Sequence, residues 1–403
     1  MRNQIIFEFN NQLVAIFNNT QEIFKDKSNW QLRKEYWLSK FLFNKRIINI
    51  DVHLIDKLFQ SKIPLHWLIG PSIYKKFCSG GSIESALQIV DQNWSQKIYS
   101  YIGYAIEGHQ DEDSFDLNLK QILNEIDHID LHHGLKFIVF KPTSLGRSKL
   151  FELVQIGKQL TDDQLIEWSR IKQRFNQISE KCFNKKAYLL IDAEETWIQK
   201  SIDHLTFDLM KKHNTKEPIV YTTVQMYRKD GLKKLNELKH LAQSNDVIVG
   251  VKLVRGAYIE KENQRALTQG VESPICDSKK QTDENFHQGI KFMMNNLDCL
   301  SLFLGTHDEK STQLCMDLIS QYHIDKQHPR IWFSQLYGMS HHITYGLATQ
   351  GFKTVQYIPY GPLKEIIPYL LRRAQENSSV LSQASRDINL IKQELKRRKR
   401  TKW

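Results

Sequence analysis

Two adjacent arginines in the stretch "VQYIPYGPLKEIIPYLLRRAQEN" have the spacing needed to bind an anion. Tyr369, Arg372, Arg373 and Glu376 occur at i, i+3, i+4 and i+7, so a helix would place all four on one face. Two guanidinium groups on one face form a bidentate clamp for a carboxylate or a phosphate. The alternative is a solvated stripe of Arg and Glu on an exposed helix surface.

Other polar residues come at the ends of short apolar runs earlier in the chain. Any one of them alone fits a solvated loop, but their recurrence favours an active site formed by several strand ends. These residues are Lys141, Asp192, Glu194, Gln225, Arg255, Tyr258, Thr306, His307, Gln335 and Tyr357.

Two further chemistries have candidate residues. His307 with Asp308, and the pair at positions 341 and 342, could ligate a metal, but no second ligand pair has zinc-finger or H-E-x-x-H spacing, so we predict no metal. Lys141 or Lys252 could form a Schiff base, which would make the protein a lysine-dependent aldolase acting on a carboxylate substrate. That hypothesis stays open at this point.

The elements that would position these residues alternate along the chain. Eight short runs rich in β-branched and aromatic residues are separated by segments with helical periodicity. This pattern predicts an α/β fold, a (β/α)8 TIM-type barrel, with an open doubly wound sheet as the alternative. The sequence contains no G-x-G-x-x-G motif, so it does not support a dinucleotide-binding domain. The runs are "IYSYIGYAI", "LKFIVFK", "AYLLIDAE", "IVYTTVQM", "VIVGVKLV", "SLFLGTH", "IWFSQL" and "TVQYIPYG".

The chain divides into three parts by composition. Residues 1–96 have helical spacing of apolar side chains and predict an N-terminal helical arm, residues 97–380 form the barrel, and residues 381–403 form a basic C-terminal tail. The sequence "KQELKRRKRTKW" in that tail carries much of the net charge of +11. A solvated, frayed helix end and a surface-binding segment are the two interpretations of the tail.

Composition limits the function classes. The basic run is confined to the tail, without a basic stripe with interleaved aromatics, so we predict no nucleic-acid partner. The five cysteines are scattered, and the sequence has neither a signal peptide nor the ~20 apolar residues of a membrane span. These features favour a reducing, cytoplasmic location.

Six ordered motifs resemble the proline dehydrogenase family between about Tyr101 and Asn377. They are "LLIDAEE", "TTVQMY", "GVKLVRGAYIEKE", "LGTHDEKS", "FSQLYGMS" and "YIPYGPLKEIIPYLLRRAQEN". The resemblance implies a monofunctional flavoenzyme that oxidises L-proline to Δ1-pyrroline-5-carboxylate, with hydride passing to N5 of FAD. It also implies that electrons pass to a membrane quinone, and hence a peripheral location on the inner face of the cell membrane, or on the mitochondrial inner membrane, although no transit peptide is seen.

The resemblance also assigns roles by position. The implied catalytic residues are Asp192 and Lys252. Lys252 stands where many members carry an arginine beside flavin N5, and a lysine keeps the charge but loses the planar fork. Glu107 corresponds to a gating acid. The implied substrate-binding residues are Lys141, Tyr357, Tyr369, Arg372, Arg373 and Leu336, and the implied FAD-binding residues are Ala193, Gln225, Arg255, Gly256, Ala257, Thr306 and His307.

Overall fold

The computed structural model describes residues 16–42, 77–104, 111–362 and 378–400. Within them, eight parallel strands close into a barrel in chain order. The last strand pairs with the first along its length, so the predicted (β/α)8 barrel is confirmed and the open sheet is excluded. Each strand overlaps one of the eight predicted runs. The strands are β1 Tyr99–Tyr104, β2 Leu135–Phe140, β3 Tyr188–Ile191, β4 Val220–Gln225, β5 Val249–Val254, β6 Leu300–Gly305, β7 Ile331–Leu336 and β8 Thr354–Tyr360.

Helices precede, connect and follow the strands. Their apolar faces cover the outside of the barrel, as the helical spacing between the runs predicts. The helices are α1 Thr20–Ile23, α2 Asn29–Leu42, α3 Ile83–Ser95, α4 Glu112–Asp127, α5 Ser148–Gln155, α6 Asp162–Asn184, α7 Thr196–His213, α8 Gly231–Asn245, α9 Ile259–Gln269, α10 Lys279–Met294, α11 Glu309–Gln321, α12 His341–Thr349 and α13 Ser378–Arg400, with 3-10 turns at His128–Asp130 and Pro142–Ser144.

Large aromatic side chains fill the lower part of the barrel. Phe137 makes edge contacts with Phe303 and Trp332, with ring centroids 5.0 and 4.9 Å apart. Gly250 on β5 leaves room for this layer, since a Cβ there would lie 2.5 Å from the ring of Tyr221. The barrel is therefore packed shut below, and a cavity is left at the carboxyl ends of the strands. The aromatic residues of the layer are Tyr101, Phe137, Tyr188, Tyr221, Phe303 and Trp332.

A second, smaller hydrophobic core joins the arm to the last helix. Leu32 of α2 and Leu390 of α13 are fully buried, and Phe24 packs in the same cluster. Arg398 donates hydrogen bonds to the backbone carbonyls of Phe24 and Lys27, 2.7 and 2.6 Å away. The interpretation of the tail as a solvated, frayed end is therefore wrong for these residues, because its apolar side chains have a partner surface in the arm.

The predicted boundary between the barrel and the tail falls inside a helix. α13 begins at Ser378, before residue 381, and continues without interruption to Arg400. The arm, of which α1, α2 and α3 are described, comes before β1, as the sequence predicts. The division at residues 96, 380 and 403 stays a prediction, and the structure adds that α13 packs against α1 and α2.

Candidate active site

The carboxyl ends of the strands open into one cavity of about 640 Å³. The structure brings twelve of the fifteen predicted site residues to its lining. Tyr369, Arg372 and Arg373, together with Glu107, lie outside the described residues. The twelve are Lys141, Asp192, Ala193, Gln225, Lys252, Arg255, Gly256, Ala257, Thr306, His307, Leu336 and Tyr357.

An ion pair lies at the bottom of this cavity. Lys252 Nζ of β5 is 2.7 Å from Oδ1 of Asp192, which follows β3. The backbone N–H of Asp192 donates to the carbonyl of Phe140, so the sheet ladder continues to the aspartate and fixes it. The Lys252 ammonium also lies 5.9 Å from the Tyr101 ring, above the aromatic layer. Two opposite charges are thus held just above the aromatic layer.

An apolar wall stands on the side of β7 and β8. Leu336 and Tyr357 are register partners on these neighbouring strands. Tyr357 packs against Tyr101, with ring centroids 4.9 Å apart. A Cβ on Gly103 would lie 2.5 Å from the Tyr357 hydroxyl, so the glycine on β1 makes the space that this ring occupies. The wall can contact methylene groups by shape alone.

Lys141 is held at the rim by the turn that follows β2. Glu194 is buried and accepts hydrogen bonds from the Thr143 backbone N–H, at 2.8 Å, and from its hydroxyl, at 2.7 Å. Burial raises the pKa of Glu194 to about 7, although the nearby Lys141 charge and the Thr143 hydrogen bonds act to lower it. Glu194 therefore fixes the turn that begins directly after Lys141.

Arg255 is held by acidic and hydroxyl groups beside β5 and β6. Its Nε lies 2.7 Å from Asp283 Oδ1, and a second guanidinium nitrogen donates to the Thr306 hydroxyl at 3.0 Å. Its guanidinium also stacks over the Phe286 ring at 4.3 Å. The charge of Arg255 is thus fixed in direction before any ligand arrives.

Gly256 gives the cavity a close backbone approach. Its φ is +131°, and a Cβ there would lie 2.3 Å from the Tyr227 ring. Together with Ala193 and Ala257, it forms a surface with almost no side chain on the side of β3 and β5. A flat ring system or a phosphate chain can therefore approach the backbone here.

His307 and Gln225 present polar groups with defined partners. The His307 Nδ1 lies 3.1 Å from the Ser340 hydroxyl, and burial lowers the pKa of His307 to about 4, so its ring is neutral at pH 7. The Gln225 amide donates to the Glu194 carbonyl at 3.2 Å. Asp308 is the N-cap of α11 and accepts from Ser311 N–H at 2.8 Å.

Four residues that shape the site were not given a role from the sequence. Glu194 was noted only as a strand-end residue, whereas Asp283 comes from α10 and Gly103 from the middle of β1. Glu125 of α4 is buried at the edge of the cavity, accepts from the Tyr360 hydroxyl at 2.6 Å, and has its pKa raised to about 8 by burial. A carboxylate on the apolar face of α4 was the one available signal.

The sequence candidates for a metal site have other partners. Across the described segments of the chain, no three His, Cys, Asp or Glu side chains lie close enough to share a metal ion. His342 lies between two carboxylates, 2.8 Å from Glu309 and 3.1 Å from Asp387. A separate finding concerns the bilayer: none of the helices in these segments has the length and apolarity that a membrane span requires.

Comparison with known proteins identifies the family. The family model described as "Proline dehydrogenase" matches residues 86–386, which include the whole barrel. The chain belongs to the proline dehydrogenase family. It is therefore an enzyme that oxidises proline, as the six motifs implied.

Two relatives show how far the proline dehydrogenase similarity extends. Proline dehydrogenase 1, mitochondrial, of Arabidopsis thaliana is 30% identical over 379 residues, which cover 82% of this chain and 75% of the relative. The carbapenem antibiotics biosynthesis protein CarD of Pectobacterium carotovorum subsp. carotovorum is 34% identical over 297 residues, which cover 74% of this chain and 77% of the relative.

A solved structure of a longer protein has the same fold. Proline utilization A (PutA) from Bdellovibrio bacteriovorus, inactivated by N-propargylglycine, superposes with a TM-score of 0.73 at 17% sequence identity. The match covers 92% of this chain and 42% of that chain, so this proline dehydrogenase family member spans less than half of the PutA protein. At this identity the likeness concerns the fold.

Proposed function

We propose that this chain catalyses the FAD-dependent oxidation of L-proline to Δ1-pyrroline-5-carboxylate, the first step of proline catabolism, and that its electrons pass to a membrane quinone. The observation that carries the proposal is the cavity itself. An ion pair, Lys252 with Asp192, lies opposite an apolar wall formed by Leu336 and Tyr357. One relative is named for antibiotic biosynthesis, so the catabolic role is part of the proposal rather than of the family assignment.

The residues of the cavity fit a flavin dinucleotide. A nearly side-chain-free surface at Ala193, Gly256 and Ala257 suits a flat ring and a phosphate chain, because no Cβ at residue 256 fills the space. Arg255 and Lys252 supply positive charge toward a pyrophosphate and a flavin ring. Gln225 would reach the ring edge, and Thr306 with His307 would meet the adenosine side. When bound, FAD supplies the hydride acceptor at N5.

The substrate site in this proposal combines charge with shape. The ammonium of Lys141 and the guanidinium groups of Arg372 and Arg373, which lie outside the described residues, would hold the proline carboxylate. Tyr357 and Leu336, with Tyr369 outside the described residues, would enclose the methylenes of the pyrrolidine ring. Proline is small, so its carboxylate and its ring must both be recognised to select it.

The chain's own residues would orient and stabilise rather than react covalently. The substrate amine has to be neutral so that its lone pair can assist hydride departure from the adjacent carbon. The Lys252 cation would stabilise negative charge on a flavin ring bound beside it. Asp192 holds that cation in place through a 2.7 Å contact. The aromatic layer below keeps water from reaching the pair from the far end of the barrel.

A Schiff-base lysine is the weaker hypothesis. The Lys252 Nζ is bound to Asp192 at 2.7 Å, so it is held by a carboxylate rather than presented to a substrate carbonyl. An aldolase would also be colourless and would be trapped by borohydride with its substrate.

The proposed enzyme would attach peripherally to a membrane, on the inner face of the cell membrane or on the mitochondrial inner membrane. Several relatives are named as mitochondrial.

The visible spectrum of the purified protein tests the proposal. We expect flavin absorption bands that bleach when L-proline is added without oxygen. Pyrrolidine, which lacks the carboxylate, should bleach them far less, and Arg372→Met should raise the proline concentration needed by about ten-fold or more. A protein that binds no flavin, or flavin bands that proline does not bleach, would contradict the assignment.

A further inference from the structure

Two tryptophans on α2 point away from the rest of the protein. Trp30 is 69% exposed and Trp37 is 65% exposed, and their i, i+7 spacing places them on one side of the helix. The opposite side of α2 carries the fully buried Leu32 and Ser39 and packs on α13. Two such large exposed aromatic side chains on one short helix face mark an interaction surface.

Positive charge surrounds these two rings. Arg33, Lys34 and Lys40 are exposed and form no ion pair with any described residue, while the ammonium groups of Lys34 and Lys40 lie 5.2 and 5.3 Å from the two indoles. Glu35, the single acidic residue of α2, is on another side and pairs with Lys27 at 2.8 Å. The described side chains on the outward face of α2 are therefore aromatic or cationic.

The basic end of α13 meets the start of α2. Arg398 donates to the Asn29 side chain at 3.2 Å, immediately before Trp30, so the last turn of α13 meets the first turn of α2. The acidic residue of that turn, Glu394, is fully buried and bound by Arg397 and Arg398, whereas Lys396, Lys399 and Arg400 are more exposed to solvent. We call the outward face of α2 the Trp–Lys surface: Trp30, Arg33, Lys34, Trp37 and Lys40.

The helix of this surface sits beside the cavity end of the barrel. Phe24, between α1 and α2, stacks on His341, with ring centroids 6.1 Å apart. His341 begins α12, in the connection that follows the carboxyl end of β7 and so belongs to the rim of the cavity. Whatever binds the Trp–Lys surface is thus brought to the same end of the barrel as the proposed flavin.

We infer that the Trp–Lys surface docks on an anionic lipid bilayer. Charge complementarity argues for this occupant, because indole rings interleaved with exposed lysines suit the headgroup region of a membrane, where rings enter the interface and ammonium groups meet lipid phosphates. The inference rests on the proposed function, in which electrons leave for a quinone held in the membrane. It assigns docking to the outward face of α2, on the cavity side.

Vesicle sedimentation of the flavin-loaded full chain tests the inference. The probes are vesicles of phosphatidylcholine alone and of phosphatidylcholine mixed with anionic phosphatidylglycerol. We expect wild type to sediment with the anionic vesicles and not with the neutral ones. Trp30→Ser with Trp37→Ser, and separately Lys34→Glu with Lys40→Glu, should each weaken that binding by about ten-fold or more.

Matched variants on the barrel serve as controls. Leu117→Ser with Leu131→Ser removes two comparably exposed apolar side chains, and Lys158→Glu with Lys172→Glu makes the same charge change at exposed positions of the barrel. Both controls should bind like wild type. Quenching of indole fluorescence by brominated lipid in wild type, lost in the tryptophan variant, gives a second readout that identifies the inserted rings.

The outcomes separate the docking inference from the function. Turnover of proline with a soluble dye should be the same in all variants, while turnover with a quinone in vesicles should fall only in the two Trp–Lys surface variants. Wild type that stays in the supernatant, or control variants that lose as much binding, overturns the docking inference and leaves the surface to a protein partner. Absence of dye turnover in wild type overturns the function, and sedimentation still decides the docking.

Discussion

At the scale of single residues, Glu194 connects the loop after β3 to the turn after β2, beside Lys141. It follows β3, yet both groups of Thr143 that it binds belong to the turn after β2, directly behind Lys141. The carboxylate does not need to touch a ligand to matter. Under the proposed function it is a positioning residue, because it decides where the Lys141 ammonium can reach.

Removing the Glu194 carboxylate should weaken substrate binding more than chemistry. In Glu194→Ala, the Thr143 N–H and hydroxyl lose their acceptor and the turn can move, so we expect the KM for proline to rise about ten-fold with a smaller change in kcat. Glu194→Gln should recover most of the binding, because its amide oxygen can accept from the N–H while its NH2 donates to the hydroxyl. Steady-state kinetics with a dye acceptor measures both constants.

The neighbouring glutamate provides the control for that experiment. Glu195 pairs with the exposed Lys261 at 2.8 Å, so Glu195→Ala removes a carboxylate one residue away without touching the turn. Its KM should stay near that of wild type. An unchanged KM in Glu194→Ala, or an equal rise in Glu195→Ala, would show that the turn is held by other contacts.

The sequence located the residues that end strands, and missed the residues that hold them. Lys141, Asp192 and Lys252 come together because the carboxyl ends of parallel strands meet at one end of a barrel, which the pattern of runs predicts. Asp283 reaches Arg255 from a helix 28 residues later, and Gly103 matters only because Tyr357 crosses over it. Such contacts depend on how elements cross and on side-chain rotamers, which spacing alone does not specify.

At the scale of elements, His342 fastens α13 to the barrel. Its two ring nitrogens face Glu309 of α11 and Asp387 of α13, at 2.8 and 3.1 Å, and Arg386 of α13 also binds Glu309 at 2.8 Å. Burial would lower the pKa of His342, but the hydrogen bonds to Asp387 and Glu309 outweigh it and raise the pKa above its ordinary value. Three helices therefore meet at one imidazole, and the two carboxylates favour its charged form.

The attachment of α13 should weaken as the pH rises. Because the folded pKa of His342 is raised, its stabilising contribution is present in full below the unfolded value of about 6.5 and is lost as the pH rises through the folded pKa. His342→Gln should therefore lower the free energy of unfolding by about 1 to 2 kcal/mol at pH 6 and by much less at pH 9. Denaturant unfolding of both proteins at the two pH values measures the difference.

His328, at the opposite end of the barrel, provides a control because its pKa is shifted in the opposite direction. Burial and the charges of Arg330 and Lys353 lower the pKa of His328, so its replacement should not cost more at pH 6 than at pH 9. If His342→Gln shows the same loss at both pH values, the charge of the imidazole does not contribute to the attachment of α13.

The strands were predicted correctly because their own residues indicate that they are buried. Each strand is a short run buried on both faces, so its composition alone identifies it. The sequence left two interpretations of the last helix open, because the environment of this helix is supplied by a distant part of the chain. Leu390 and Ile391 sit among basic residues that suggest a solvated end, and only the arm, distant in sequence, buries them.

At the scale of the whole molecule, the described residues have two separate hydrophobic cores. The large core fills and surrounds the barrel, whereas the small one contains Ile23, Phe24, Leu32, Leu390 and Ile391 between the arm and α13. Because only a few buried side chains form the small core, its local stability should lie below that of the barrel. The arm and α13 should therefore open together before the barrel unfolds.

A cavity in the small core should expose this difference. Leu390 is fully buried, and Leu390→Ala should destabilise the pair of α2 and α13 by about 2 to 4 kcal/mol, with little effect on the main unfolding transition of the barrel. Limited proteolysis should cut within the arm or α13 sooner than in wild type. Leu395→Ala, at a half-buried position of the same helix, should have a smaller effect. Loss of the main transition itself would mean that the two cores unfold as one unit.

The small core also sets an order of events during synthesis. The last strand of the barrel ends at Tyr360, but Phe24 and Leu32 are not covered until Leu390 and Ile391 have been synthesised. At ~5–20 residues per second, the ribosome needs roughly 2 to 6 s more to add those residues after the barrel strands are complete. The arm is therefore made first and buried last. Throughout translation its apolar side chains remain open to chaperones, and a ribosome that stalls in this interval leaves the arm uncovered.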